Sequence, residues 1–551
     1  MQQLATAFLP LAALACLISA LPGQDTEDPA DKAYAEALAR YREVKTRLPF
    51  NYHLEGRTRL ANSRRPEALA LLAQDYAKPW SYPQYTRYTI ARLIADNFDD
   101  EKFVPQIDAL RIEHDEPVDM WLWVQALRIQ ADNVGDATAV EIAANSKNVM
   151  HRAAAILALG ESRTGHIMQA IVAACLGFPK KEAERCLLLG AMSGALWQNK
   201  RYVNDPDYRT ALEAYISLLH QDVGLNHVSK IQMARHLQWI LRGPALFVNP
   251  EPWLELLQRG EIKEVKKTDT RAAPTFFGIE TQGERFCYVL DMSDSMCKEI
   301  EPSARPSTAP TTGPRPRRKK GFVPTESDLP WHLIKTRWDL AREQLRISLL
   351  RLSDDNYFSV IWFGSESGTF NACKGMMPAT KGNVDRLLAE IDKVKPGPVD
   401  SEKAPDGQLR GKTNLHAGLK LAFGLARKGY VEEAAYVDGK VLTEGCDTIF
   451  LLSDGAPSWD DFNIEDKDYG EGQVVLDTEY GKAAPRSERI HYHGPYSRDP
   501  HWLVEDVRRM NAFRRIRMHC VGLGEANMSL LRELAKMGNG ETYSMGKSAD
   551  K

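Results

Sequence analysis

Val289-Leu290-Asp291-Met292-Ser293-Asp294-Ser295-Met296 is the stretch on which the fold of the C-terminal half turns. The run leading into it, Phe286-Cys287-Tyr288-Val289-Leu290, is short and wholly apolar, which predicts a buried strand. That strand passes directly into three oxygen-bearing side chains at alternate positions, Asp291, Ser293 and Ser295. In open α/β sheets, ligands sit just beyond the carboxyl ends of the strands. A carboxylate and two hydroxyls, with no thiol or imidazole, suit a hard divalent cation, Mg2+ first and then Mn2+ or Ca2+.

Working outward, Tyr357–Phe363, Thr448–Leu452 and Ile516–Leu523 read as further strands. Between and after them, Ile334–Leu352, Asn383–Val394, Leu415–Arg427, His501–Phe513 and Ser529–Met537 read as helices. Such alternation predicts a parallel sheet covered on both faces. Gly411-Lys412-Thr413-Asn414-Leu415 is a turn opening a helix and offers the Thr413 hydroxyl. Ile449-Phe450-Leu451-Leu452-Ser453-Asp454-Gly455 is an apolar strand that ends in the Asp454 carboxylate. With these pieces in this order, roughly the last half of the chain closely resembles the von Willebrand factor A family, including its integrin-type inserted domains. The resemblance implies a doubly wound, Rossmann-like α/β domain with a metal-ion-dependent adhesion site. The family's Asp-x-Ser-x-Ser, distant Thr and distant Asp fall on Asp291, Ser293 and Ser295, on Thr413 and on Asp454. By that resemblance Ser293, Ser295 and Thr413 would coordinate the ion directly or nearly so, and Asp291 and Asp454 would act largely through bound waters. Asp294 departs from the family, which often has Gly there; Asp accepts unusual turn conformations better than most residues.

Upstream, from about Lys32 to Gly243, apolar residues recur at three- and four-residue spacing, which predicts an all-α region over 32–243. Candidate helices are Tyr85–Phe98, Phe103–His114, Met120–Asp132, Ala137–Ser146, Val149–Ser162, His166–Leu176, Glu184–Trp197, Arg209–His220 and Val228–Arg242. The stretch is similar to HEAT-type repeats, in which helix pairs stack to share a core; an irregular bundle is the alternative. Residues 244–275, with Pro244, Pro250, Pro252 and the charged run Glu261–Arg271, read as a linker with one short helix near Trp253–Gln258. The α/β domain is then expected over 276–549. It is interrupted by a Pro-, Ser- and basic-rich insertion at 297–329 and a polar, aromatic one at 457–500 that is the expected specificity element.

Leu4–Leu21 is almost wholly apolar and precedes an acidic stretch, so residues 1–23 are expected to be a signal peptide and the protein exported to the periplasm, cell envelope or medium. Membrane association would come only through an uncleaved signal anchor or a lipid anchor. The net charge of −3 offers no general attraction for nucleic acid. The eight cysteines show no CxxC spacing, which argues against a zinc cluster or a redox pair. No Gly-x-Ser-x-Gly or His-Glu-x-x-His motif points to an enzyme, and Asp460 and Asp461 are the sole candidates for a general base beside the metal. The expected function is binding or scaffolding, in which the ion engages a carboxylate on a protein partner. The alternatives are an adaptor in a larger AAA-ATPase-type assembly and a metal-dependent hydrolase.

Overall fold

The computed structural model describes residues 28–545 except 48, 164–166, 242–246, 260–273, 282, 302–311, 318–322, 396–408, 410, 433, 467–474, 478–481 and 485–489. The expected signal segment at 1–23 and the charged run at 261–271 lie outside the described residues. Among those described, no helix is long and apolar enough to cross a membrane.

The first half is helical: α1 (Pro29–Val44), α2 (Phe50–Asn62), α3 (Pro66–Ala77), α4 (Pro83–Asn97), α5 (Val104–Glu113), α6 (Met120–Asn133), α7 (Ala137–Asn145), α8 (Val149–Glu161), α9 (Met168–Leu176), α10 (Glu182–Gln198), α11 (Pro206–Ser217), α12 (His227–Leu241) and α13 (Pro250–Arg259). Local signals set several boundaries. Asp205 accepts from the amides of Asp207 and Tyr208 while Pro206 opens α11, where a missing N–H costs nothing. The even-numbered helices from α2 to α12 pack in succession as one row, and α7, α9, α11 and α13 pack in succession as a second. Every residue from Arg152 to Gly160 in α8 and from Cys186 to Leu196 in α10 is buried, so both are interior helices with no solvated face over that length. α13 lies within 244–275 and is anchored by Trp253, fully buried and donating to the Phe247 carbonyl at 2.7 Å.

The second half is built on a mixed sheet. Its strands are β1 (Arg285–Asp291), β2 (Tyr357–Phe363), β3 (Ser367–Thr369), β4 (Met377–Pro378), β5 (Thr448–Ser453), β6 (Arg517–Leu523) and β7 (Thr542–Met545). The spatial order is β7-β6-β5-β1-β2-β3, with β4 also on β2; β7, β6, β5, β1 and β2 are mutually parallel, and β3 and β4 are antiparallel to β2. The antiparallel edge was not expected. Alternate residues serve opposite faces, as a two-residue period requires. Phe286, Tyr288 and Leu290 enter one core with Phe450 and Leu452, and Cys287 and Val289 enter the other with Ile449 and Leu451. Helices α14 (Arg337–Arg351) and α15 (Lys381–Ile391) cover the first face; α16 (Leu415–Gly424), α19 (Pro500–Asn511) and α20 (Met528–Met537) cover the second. Short helices α17 (Gly439–Glu444) and α18 (Pro495–Arg498) complete the set.

The two halves share a core. Tyr436, Val437, Ala512 and Phe513 of the α/β half belong to the helical half's apolar cluster. Arg92 of α4 pairs with Glu505 of α19 at 3.2 Å, and Arg235 of α12 with Asp447 at 3.4 Å. Both insertions are partly tied into this frame. Arg315 pairs with Glu343 at 3.1 Å and Asp392 at 3.3 Å, because the fully buried Glu343 carboxylate needs cationic partners. In the second insertion, the Phe462 ring lies 4.8–4.9 Å from those of Phe50, Tyr82 and Tyr85, and Tyr492 packs on Tyr52 at 5.8 Å. Both ends of the insertion thus dock the helical half. Tyr469 and Tyr480 lie outside the described residues.

Candidate functional site

The chain leaves β1 for its neighbour β2 on one side, then returns through α16 to β5 on the other side of β1. The winding direction therefore reverses between β1 and β5, and the crevice beyond their carboxyl ends is where such sheets hold ligands. Asp291 ends β1, and Ser453 ends β5 with Asp454 next. The two carboxylates thus meet at the switch point from positions 163 residues apart in sequence.

The site's oxygens are linked. Asp291 Oδ1 accepts from the Ser293 amide at 2.9 Å, and its Oδ2 accepts from the Ser453 hydroxyl at 2.8 Å. Ser293 Oγ lies 3.0 Å from Ser295 Oγ, and Ser295 Oγ donates to Asp454 Oδ1 at 2.6 Å. Asp291, Ser293, Thr413 and Asp454 are all buried, and Ser295 is half-buried. Thr413 arrives on a separate loop. Its Oγ1 is 3.9 Å from where a Cβ on Gly455 would stand, and its backbone exchanges hydrogen bonds with Ser458, whose Oγ accepts at 3.1 Å and whose amide donates at 3.1 Å. Immediately after it, Asn414 caps α16 by accepting from the Ala417 amide at 3.0 Å.

Asp294 works differently from the sequence expectation. It has no left-handed backbone to tolerate; its Oδ1 accepts from the Gly411 amide at 2.8 Å and its amide donates to the Gly411 carbonyl at 3.2 Å. It clamps the Thr413 loop onto the Asp291 loop, a task a glycine side chain cannot perform.

Sequence reasoning missed two participants. One is Ser453, hidden as the last residue of an apolar strand. The other is Arg337, the first residue of α14, whose Nη1 pairs with Asp454 Oδ2 at 2.7 Å. Arg337 is seated against Gly524, where φ is +58° and a Cβ would stand 2.2 Å from the guanidinium, so only glycine serves there. No local sequence signal marks Arg337, because its partner lies 117 residues away. Burial, and after it the charge of Asp454, raises the Asp291 carboxyl to about 7 against the opposing hydrogen bonds of Ser293 and Ser453.

Asp460 and Asp461 are already engaged. Asp460 accepts from the amides of Phe462, Tyr496 and Ser497, each at 2.9 Å. Asp461 pairs with Lys420 at 2.5 Å; burial works against its charge, but Lys420, His416 and Asn414 hold its carboxyl below the usual range. Among the described residues, no group of three or more His, Cys, Asp or Glu side chains is placed to hold a metal, so any ion here depends on hydroxyl donors. No family model matches the chain, and no curated protein matches it in sequence.

Proposed function

We propose that the second half is a von Willebrand factor A-type domain that binds a divalent cation, Mg2+ first, and through it a carboxylate on a protein partner. One observation carries the proposal: the Asp291-x-Ser293-x-Ser295 loop and Asp454 meet at the β1/β5 switch point, with hydroxyl and carboxylate oxygens 3.0 and 2.6 Å apart. Adjacent ligands in an octahedral Mg2+ shell with bonds of about 2.1 Å lie roughly 3 Å apart. The donor set is all oxygen, as a hard ion prefers. Burial, and after it the charge of Asp454, disfavours the ionised Asp291 carboxyl, and an added cation would stabilise that ionised form. Ser293, Ser295 and Thr413 are the proposed direct ligands, with Asp291 and Asp454 supporting them. Arg337 already offsets one of the two carboxylates. An added dication would leave the site net positive, which favours an anionic partner group.

The helical half, stacked in two rows and locked onto the α/β half, is proposed to be a HEAT-like scaffold that holds the site rigidly. The apolar run at 4–21 supports export. An adaptor inside a larger assembly is the second reading, favoured by the shared core that makes the two halves one platform. Cell fractionation with sequencing of the mature N-terminus separates the two.

The test of the site is calorimetric titration of the whole chain and of Asp291→Ala with Mg2+, followed by pull-downs in Mg2+ and in EDTA. Wild type binds Mg2+ and retains a partner that EDTA releases. Equal Mg2+ binding by D291A, or a partner indifferent to EDTA, sinks the proposal.

A further inference from the structure

At the opposite end of the sheet, the amino-terminal ends of β1, β5 and β6 face α12 across a cavity. Its lining gathers Arg235 from α12, Arg285 at the start of β1, and Arg514 and Arg515 from the turn before β6. Among the described residues, Glu284 and Asp447 supply the carboxylates in that lining, and both already have side-chain partners. Asp447 pairs with Arg235 at 3.4 Å, and Glu284 with His227 at 2.9 Å. The Arg514 guanidinium donates to the carbonyls of Phe423 at 2.7 Å and Cys446 at 3.1 Å, and Arg285 donates to the Thr443 carbonyl. Carbonyl dipoles hold these guanidiniums in place without neutralising them.

Four guanidiniums and two carboxylates thus line the cavity, and the Glu161 carboxylate attracts Arg515 from outside the lining. Arg235 is only 4% exposed, yet its Nε has no hydrogen-bond partner, and neither has the Nε of Arg515. Buried donors in native structures find partners, and a buried uncompensated charge is costly. Burial, and after it the charges of Arg515 and Arg235, push the His236 imidazole well below its ordinary value. An anion placed among these guanidiniums would gain charge-assisted hydrogen bonds from them.

We propose that this cavity binds a small phosphate-bearing anion, clamped by Arg235, Arg514 and Arg515 between the helical and α/β halves. The planar, forked guanidinium matches phosphate oxygens two at a time. The space open to water centres is about 40 Å³. At roughly 10–15 Å³ per water, that holds about three waters or one tetrahedral oxyanion. The site is separate from the Asp291 loop, at the other end of the same strands, and does not depend on metal there. The anion would join α12 to the β6 turn and so tighten the junction of the halves.

The experiment is calorimetric titration and thermal unfolding of the whole chain with inorganic phosphate at constant ionic strength. Chloride and citrate are the controls, and methyl phosphate tests whether an esterified phosphate is accepted. Phosphate should raise the unfolding midpoint of wild type with the logarithm of its concentration. R515Q should bind phosphate at least about tenfold more weakly. R515K should recover part of the affinity. Binding of methyl phosphate as well as inorganic phosphate assigns the site to the phosphate end of a small molecule, and binding of inorganic phosphate alone assigns it to the free anion. A merely structural cluster behaves the other way: phosphate shifts the midpoint of neither protein. That result overturns the proposal, as does an equal shift with chloride or citrate, or the absence of heat at millimolar phosphate. Should R515Q fail to fold, the wild-type titration against its controls decides.

Discussion

Asp291 has a buried carboxyl beside a second carboxylate, and the sign of its response to pH follows from that. Its folded value of about 7 stands above the unfolded value near 4, so the folded state holds a proton between those limits that the unfolded state has lost. Stability without metal should therefore fall as pH rises from about 4 to about 7 and level off above. Mg2+ needs the deprotonated carboxyl, so its affinity should rise across the same window and then flatten. Thermal unfolding on both sides of neutrality, with and without saturating Mg2+, checks both signs; a metal-free protein that gains stability toward neutral pH refutes the first. Arg337 gives a second test. Arg337→Met leaves Asp454 buried without its cation and should cost about 3–5 kcal/mol without metal. The same change makes the site more negative, so Mg2+ should bind more tightly, as calorimetry would record. Weaker Mg2+ binding by R337M would mean that Arg337 organises the ligands rather than competing with the ion. The candidate ligands were legible in the sequence because each ends a strand or opens a helix. Arg337 and Ser453 were not, because their roles arise from neighbours more than a hundred residues away.

At the scale of elements, the legibility of the strands followed burial. The strands at 285–291, 357–363, 448–453 and 517–523 are buried on both faces, and each shows as an apolar run. α1, α2 and α3 were not singled out; α1 buries only Tyr41 and Val44, whereas α2 and α3 bury seven and four residues. The three-residue β3 has no pattern long enough to read, and its pairing comes from the adjacent β2. Where elements meet closely, single glycines matter. A Cβ on Gly190 of α10 would stand 1.9 Å from the Phe513 carbonyl oxygen, which is backbone and cannot swing aside. Gly190→Ala should cost about 3 kcal/mol or more, read from the urea midpoint. Gly194→Ala, four residues on, meets only the Leu157 methyl at 3.0 Å and should cost clearly less. Equal costs would mean that α10 shifts freely against the α/β half.

For the molecule as a whole, the shared core bears on cooperativity. Phe513, Ala512, Tyr436 and Val437 are buried among helical-half residues, and ion pairs from α4 and α12 cross the junction. The described halves should therefore unfold in one transition, with helical and near-ultraviolet signals losing amplitude together. Two separated transitions in calorimetry would show that the junction contributes little.

By itself the sequence determined where most of the longer helices and the buried strands lie, since periodicity is a local property, and it marked Asp291, Ser293, Ser295, Thr413 and Asp454 as oxygen donors at or near element ends. Only the tertiary structure decided that β5 lies beside β1, which brings Asp454 to Ser295. It alone placed Arg337 on Asp454, pressed the second insertion onto the helical half and gathered the arginines at the far end of the sheet. Strand order and side-chain convergence are set by packing between distant segments, and no local pattern encodes which distant segment arrives.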